Sequence, residues 1–328
     1  MTALPSYSTA TGTSSNRSSQ PISGFKGWQF VICERIFSSD YTVFVSKDSV
    51  GKYSAFKHDG NHSITKKVQH SGVGIPLLKV VTHEFSLTKM LTIYKYFINE
   101  DSFRQKGFDS TNDCYKFCKV TKNKHIDYTT YILSFTPDRF NPSVNFEVVM
   151  FAHNVLPIID YEFQGNFYRW IKNGPSSSWY KYNYINYLLN PNQNCLARFW
   201  DKQTYKINRD KSIDNPLLGN NFKKFFSFSS RYPKDDYTSL MQLASLEELV
   251  SSAVHSYNQT ALLDVLDLYE PSADVVKYES IHSVNMDSLI KVCMSLVFKR
   301  EEDITAARKK RNMNNYSYSS FSSNSLQI

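Results

Sequence analysis

Apolar and polar side chains alternate along most of the chain, from Trp28 to Lys202. "GWQFVICERIF" places Trp28, Phe30 and Ile32 on one face, and "YTVFVS" does the same with Tyr41, Val43 and Val45. A period of two marks a strand with one buried face. "KYSAFKH" reads as the next strand, reached across "KDSVG", a turn in which Gly51 suits positive φ. "IPLLKVVTHEF", "LTIYKYFIN", "CYKFCKV", "YTTYILSF", "FEVVMFAHN", "IIDYEF", "GNFYRWIK", "WYKYNYINYLL" and "CLARFWDK" continue the series. The segments are short, β-branched and aromatic, and turn signals such as "HDGN", "QGN", "NGPSSS" and "NPNQN" separate them. About ten to twelve antiparallel strands of this kind predict a mainly β domain, a barrel or a sandwich, since closure removes exposed edges.

Helical periodicity arrives late. "SLEELVSSAVHSY" opens with Ser245 and carries Glu248 three residues on, the spacing of a capping box. Leu246, Leu249, Val250, Ala253 and Val254 follow helical spacing, so a helical insertion is expected near 238–269, stopped by Pro271. "ADVVKYESIHSV" reads as a final strand. In "DSLIKVCMSLVFKREED", Asp287 is the candidate N-cap, and Leu289, Ile290, Val292, Cys293, Leu296, Val297 and Phe298 cover nearly the whole circumference. The apolar run is about half of the roughly twenty residues that a bilayer requires, and it lacks the polar face of a surface helix. A helix apolar all round is expected inside the protein. From Lys299 on, the charged half is expected to emerge into solvent.

Composition sets the limits of the domain. The chain of 328 residues is 41% hydrophobic and 15% aromatic, which supports a real core. Residues 1–24 hold seven Ser and four Thr and few large aliphatic side chains. They read as a disordered tail, as do the Ser/Asn-rich residues 312–328. No linker interrupts residues 25–311, which are expected to form one domain. Five scattered cysteines do not make a disulfide framework, and no apolar leader precedes Trp28. A cytoplasmic setting is expected, with the nucleus as the alternative because of "ARKKR" at Ala307–Arg311.

Many antiparallel strands followed by one apolar helix resemble the tubby C-terminal-like superfamily of tubby proteins, phospholipid scramblases and plant LURP-one-related proteins. "DSLIKVCMSLVF" stands where that superfamily has its central helix. "YEFQGNFYRWIKNG" and "WYKYNYINYLLNPNQNCLARFWDK" are similar to the strand–turn–strand "G-x-x-Y-x-W" pattern of its fungal members. The resemblance covers Trp28 to Arg300 and implies a closed barrel of about a dozen strands around the hydrophobic helix. A β-sandwich with a capping helix is the alternative, and the helical insertion departs from the compact family barrel. The resemblance also implies contact with anionic lipids such as phosphoinositides.

Candidate chemistry is sparse. Cys114 and Cys118 are spaced as a C-x3-C pair without the second pair of a structural zinc site, and read as two thiols on one buried strand face. His58, His62 and His70 read as exposed turn residues, and Asp160 and Glu162 as one exposed strand edge. No nucleophile elbow, phosphate loop or clustered acidic loop occurs, so no catalytic residue, metal or cofactor is expected. The densest basic–aromatic cluster is "NNFKKFFSFSSRYPK". Lys223, Lys224, Arg231 and Lys234 could meet lipid phosphates while Phe225 and Phe226 dip into the bilayer; alternatively the segment is a strand with its phenylalanines inward. Specific nucleic-acid recognition has no matching module. Leu4-Pro5-Ser6-Tyr7 resembles the L-P-x-Y ligands of WW domains in ubiquitin ligases, because Pro5 favours polyproline II and Tyr7 offers a flat ring. The expected function is a non-enzymatic binding module, membrane-peripheral through anionic lipid, or alternatively a ubiquitin-ligase client or adaptor.

Overall fold

The alternation of Trp28, Phe30 and Ile32 is realised in β1 (Phe25–Arg35), where all three side chains are buried. A computed structural model describes residues 25–35, 38–58, 63–84, 86, 88–126, 128–154, 157–173, 182–191, 195–207, 239–254, 257–268 and 280–322. The strands that follow are β2 (Tyr41–Phe44), β3 (Leu78–Thr82), β4 (Lys89–Tyr96), β5 (Cys114–Lys124), β6 (Tyr128–Phe135) and β7 (Phe146–His153). Next come β8 (Ile158–Phe163), β9 (Asn166–Asn173), β10 (Asn183–Leu189) and a small separate hairpin, β11 (Trp200–Asp201) with β12 (Lys206–Ile207). The last two are β13 (Ser239–Val254) and β14 (Tyr257–Leu268). Apart from the small hairpin, these twelve strands close into an antiparallel barrel in the order β1-β14-β13-β10-β9-β8-β7-β6-β5-β4-β3-β2. The sandwich alternative is therefore set aside. With closure, every inward position faces one central space.

After three shorter helices, α1 (Lys47–His58), α2 (Ser63–His70) and α3 (Glu100–Lys106), a long helix, α4 (Met286–Ser322), fills that space. Leu289, Ile290, Val292, Cys293, Met294, Leu296, Val297 and Phe298 are each 2% exposed or less. Burying an aliphatic side chain of this size contributes about 1.5–3 kcal/mol. The interruptions in the apolar surface are buried too: Ser295 Oγ donates to the Lys291 carbonyl (2.9 Å), and Lys291 Nζ pairs with Asp287 Oδ2 one turn earlier. The N-cap is Asn285 and not Asp287, because Asn285 Oδ1 accepts the Ser288 N–H (2.8 Å). Burial persists through Lys299 and Arg300, beyond the point where the charge begins, and full exposure starts at Thr305. At 37 residues the helix spans about 55 Å. It continues through Asn312–Ser322, where the composition suggested a disordered tail; neither proline nor glycine stops it.

The largest correction concerns the expected helical insertion near 238–269, where Ser239–Val254 and Tyr257–Leu268 form β13 and β14. Ala244 and Leu246 point inward, opposite Val265 and Leu263 of β14, and β13 also pairs with β10. Without these two strands the wall between β10 and β1 would stay open, so pairing overrides helix propensity. The capping-box pair is coincidental: the Glu248 backbone N–H donates to the Tyr182 carbonyl (3.1 Å), and Ser245 lies between Ile185 and Asp264. Of the expected final strand, residues 273–279 lie outside the described residues, and Ile281–Ser283 form a 3-10 turn.

Three further readings change. "KDSVGKYSAFKH" is α1 (Lys47–His58), which contains Gly51 and covers Val31, Cys33 and Phe44 on the outer wall through Val50 and Tyr53. His58 ends α1 and His70 ends α2 (Ser63–His70), both helical rather than in turns; His62 lies outside the described residues. "CLARFWDK" is mostly a 3-10 turn, Leu196–Phe199, followed by β11. In the β4–β5 pairing the register shifts after Ile93, so Cys118 is buried while Cys114 is only half-buried. Gly72 and Gly74 form the expected turn after α2, both with positive φ. A side-chain carbon at Gly72 would lie 2.4 Å from Ser280 Oγ, so this glycine lets the segment entering α4 pack close.

Candidate functional site

The run Glu301-Glu302-Asp303 sits where α4 leaves the barrel. Three successive helical residues point about 100° apart, so each acid faces a different sector of the wall. Lys122 Nζ of β5 donates to Glu301 Oε1, and Tyr131 of β6 hydrogen-bonds the same carboxylate. Lys172 Nζ of β9 and Tyr184 OH of β10 both donate to Glu302 Oε1, each at 2.5 Å. Tyr41 OH of β2 donates to Asp303 Oδ2 (2.5 Å), which Lys299 Nζ also approaches through Oδ1. In each group the ammonium lies over the ring of its tyrosine: Lys122 over Tyr131 at 5.4 Å, Lys172 over Tyr184 at 5.6 Å and Lys299 over Tyr41 at 5.5 Å. Burial first, and the neighbouring acid second, push these phenols far above their usual range, so they remain protonated donors. Three acid–lysine–tyrosine groups thus form a collar that fixes the rotation and depth of the helix.

Two further acids line the collar. Burial raises the pKa of Glu34 above 4.5, with Asp303 adding to the rise and Lys299 and Arg300 opposing it. Glu248 is raised mainly by burial as well, despite Lys299. A carboxylate whose folded-state pKa is raised contributes stability below its unfolded-state value and loses it as pH rises through the folded-state value. Glu34→Gln is therefore expected to be more stable than the parent at pH 7, with the difference shrinking as pH falls toward 4.5. Urea midpoints measured across that range check this, and a gap that widens on acidification would contradict it.

Outside the barrel, residues 195–207 lie over β6 to β10. Under them, Asp160 is fully buried and accepts from Arg169 Nε (2.6 Å), from Arg169 Nη2 (3.1 Å) and from the Leu196 backbone N–H (2.8 Å). The expected exposed edge is thus half true: Glu162 is exposed, and Asp160 is the centre of a buried ion pair. Tyr128, Phe151, Leu189, Leu196 and Ile207 pack together as a second small core.

Burial shifts several of the described thiols and imidazoles. Burial pushes the Cys33 thiol up to about 12 and the Cys195 thiol up to about 11, so neither is a thiolate at neutral pH. Burial also lowers the basicity of His83, His125 and His282. Among the described residues no group of three or more His, Cys, Asp or Glu side chains could hold a metal ion. Of the residues singled out from sequence, Leu289, Ile290, Val292, Cys293, Leu296 and Val297 lie together inside the barrel. Lys223, Lys224, Phe225, Phe226, Arg231 and Lys234, and likewise Leu4, Pro5 and Tyr7, lie outside the described residues. The collar was missed in the sequence because Lys122, Tyr131, Lys172 and Tyr184 meet the helix only once register and closure are known.

Fold and collar together define a helix-plugged antiparallel β-barrel whose centre is occupied by its own chain. The chain belongs to the DIA1 family, whose family model matches residues 26–309. No curated protein and no solved structure matches it.

Proposed function

We propose that this chain is a non-enzymatic binding module that attaches peripherally to membranes by contacting anionic phospholipid. One observation supports this above others: α4 fills the barrel, and its continuation past the collar carries Arg308, Lys309, Lys310 and Arg311, all exposed. Each such cation near an anionic surface is worth about 1 kcal/mol, so four together favour attachment by about a thousandfold. The twelve-strand wall around Leu289–Phe298 is the arrangement that the tubby-like resemblance implies, and it supports carrying over that superfamily's affinity for anionic lipid as an analogy. Five free thiols support a reducing, cytoplasmic setting. Among the described residues no helix is long and apolar enough to cross a membrane.

The test is flotation of the full chain with vesicles at low salt, where screening is weakest. Recovery is expected with phosphatidylserine-containing vesicles and not with phosphatidylcholine alone, and it should fall when Arg308–Arg311 are changed to alanine. Equal recovery on both vesicles would remove the reading. The basic–aromatic cluster Lys223–Lys234 adds to the same contact in this proposal. The Leu4–Tyr7 motif is a separate proposal, a WW-domain ligand, and binding in a peptide pulldown that survives Tyr7→Ala would remove it.

A further inference from the structure

We propose that the end of the barrel from which α4 emerges is the membrane-docking face, and that Ile126 is its hydrophobic anchor in an anionic bilayer. The proposal rests on the lipid-contact reading above and names the surface and the side chain that enter the membrane. Ile126 is 92% exposed, the most exposed of the large hydrophobic side chains among the described residues. A single wet isoleucine needs no explanation by itself. What sets this one apart is how firmly it is held out.

Hydrogen bonds hold the backbone at His125 and Ile126, at the β5–β6 hairpin tip. Asn154 Nδ2 donates to both the His125 carbonyl (3.1 Å) and the Ile126 carbonyl (2.9 Å), and Thr129 Oγ1 donates to Asn154 Oδ1 (3.1 Å). The His125 N–H donates to the Tyr128 carbonyl (2.9 Å), and the two rings stack at 4.3 Å. Tyr128 OH accepts the Ile207 N–H (3.1 Å), which ties the tip to the β11–β12 hairpin. That second hairpin presents Tyr205, 55% exposed, in the left-handed region at φ 52 and edge-on to Trp200 at 5.9 Å. A bulky residue held there is an outlier of the kind that tends to cluster at functional surfaces. An exposed aliphatic side chain and an exposed tyrosine thus stand on two hairpins that the Tyr128–Ile207 hydrogen bond joins.

Position and charge identify the occupant. Lys122 of β5 meets Glu301 at the collar, and the strand runs on from there to Lys124 and the tip, so Ile126 lies at the mouth through which α4 leaves. Lys124 on the first hairpin and Lys202 and Lys206 on the second are exposed, and Arg308–Arg311 extend from the same mouth, so these cations outnumber Asp127, the acid next to Ile126 in the sequence. Asp201, the acid of the second hairpin, is occupied by its own turn, accepting from the Gln203 N–H and Thr204 Oγ1, each at 2.8 Å. An exposed isoleucine on one hairpin, with an exposed tyrosine and lysines on it and on the hairpin joined to it, matches the chemistry of an anionic bilayer: acyl chains, interface, phosphates. At the opposite mouth Phe140 is also exposed (79%), but Arg139 lies over its ring and Asp138 accepts its N–H, so it serves as the control.

The experiment uses the full chain and phosphatidylcholine vesicles with and without phosphatidylserine. Ile126→Ser is expected to weaken partitioning onto the anionic vesicles about tenfold, Ile126→Leu to preserve it, and Phe140→Ser to leave it unchanged. Tyr205→Ser, on the other hairpin, is expected to weaken it several-fold. Thermal unfolding should be the same for Ile126→Ser and the parent, since the side chain already stands in water. If Ile126→Ser binds like the parent, or if Phe140→Ser is the variant that detaches, the docking face is wrong. Loss confined to the Arg308–Arg311 alanine variant leaves lipid contact standing and overturns the anchor. Failure of the parent to bind anionic vesicles overturns both.

Discussion

Asp160→Ala is expected to destabilise the protein by about 3–5 kcal/mol, because it leaves the Arg169 guanidinium buried without its counter-charge. The pair is almost wholly out of water, at 0% and 2% side-chain exposure, so solvent cannot take over the lost hydrogen bonds. The same substitution frees the Leu196 N–H, so residues 195–207 should lose their anchor on the outer wall. Urea unfolding measures the first effect, and faster limited proteolysis within 195–207 reports the second. Removing both charges together, as Asp160→Leu with Arg169→Met, is expected to cost less than the single substitution, about 1–3 kcal/mol, because the Leu196 N–H still loses its acceptor. Apolar side chains of similar volume avoid the desolvation that the ion pair must overcome. A small effect for the single alanine substitution would mean that water reaches the pair.

Phe298→Ala is expected to cost about 3–5 kcal/mol by opening a cavity at the centre of the barrel. Its ring lies parallel to Tyr184 at 4.5 Å and edge-on to Trp170 at 5.1 Å, both on the wall, and it is 2% exposed. Such ring pairs contribute about 0.5–1.5 kcal/mol beyond their area. The wall is closed and cannot collapse far onto the gap. A shift in the urea midpoint at unchanged slope is the expected signature. A loss below about 1 kcal/mol would contradict the placement of α4 inside the barrel, because an outside helix would give up that ring cheaply.

Both expectations depend on one arrangement, in which a closed wall needs something to fill it and α4 supplies the filling. The charged run Glu301-Glu302-Asp303 then acts as a stop. Its acids find lysine and tyrosine partners at the rim, and the following residues pass into solvent. With its centre committed to packing, the barrel is left with its rim loops, outer wall and protruding helix for contact with other molecules.

The sequence by itself determined that Leu289–Phe298 would be buried, because a run apolar on every side but too short for a bilayer has no other stable place. It also determined the inward faces of β1 and β2, since the period of two leaves only one choice of face. Only the tertiary structure decided that Ser239–Val254 and Tyr257–Leu268 are strands. Leu246, Leu249 and Val254 fit either period, and the need to close the wall between β10 and β1 settled the matter. "KDSVGKYSAFKH" likewise carries no strong stripe, so its helix is fixed by what it covers on the outer wall. The Asp160–Arg169 pair and the collar were beyond reach for the same reason. An isolated charge in a strand looks solvated until register brings its partner opposite, and register is a property of the closed sheet, not of any one segment.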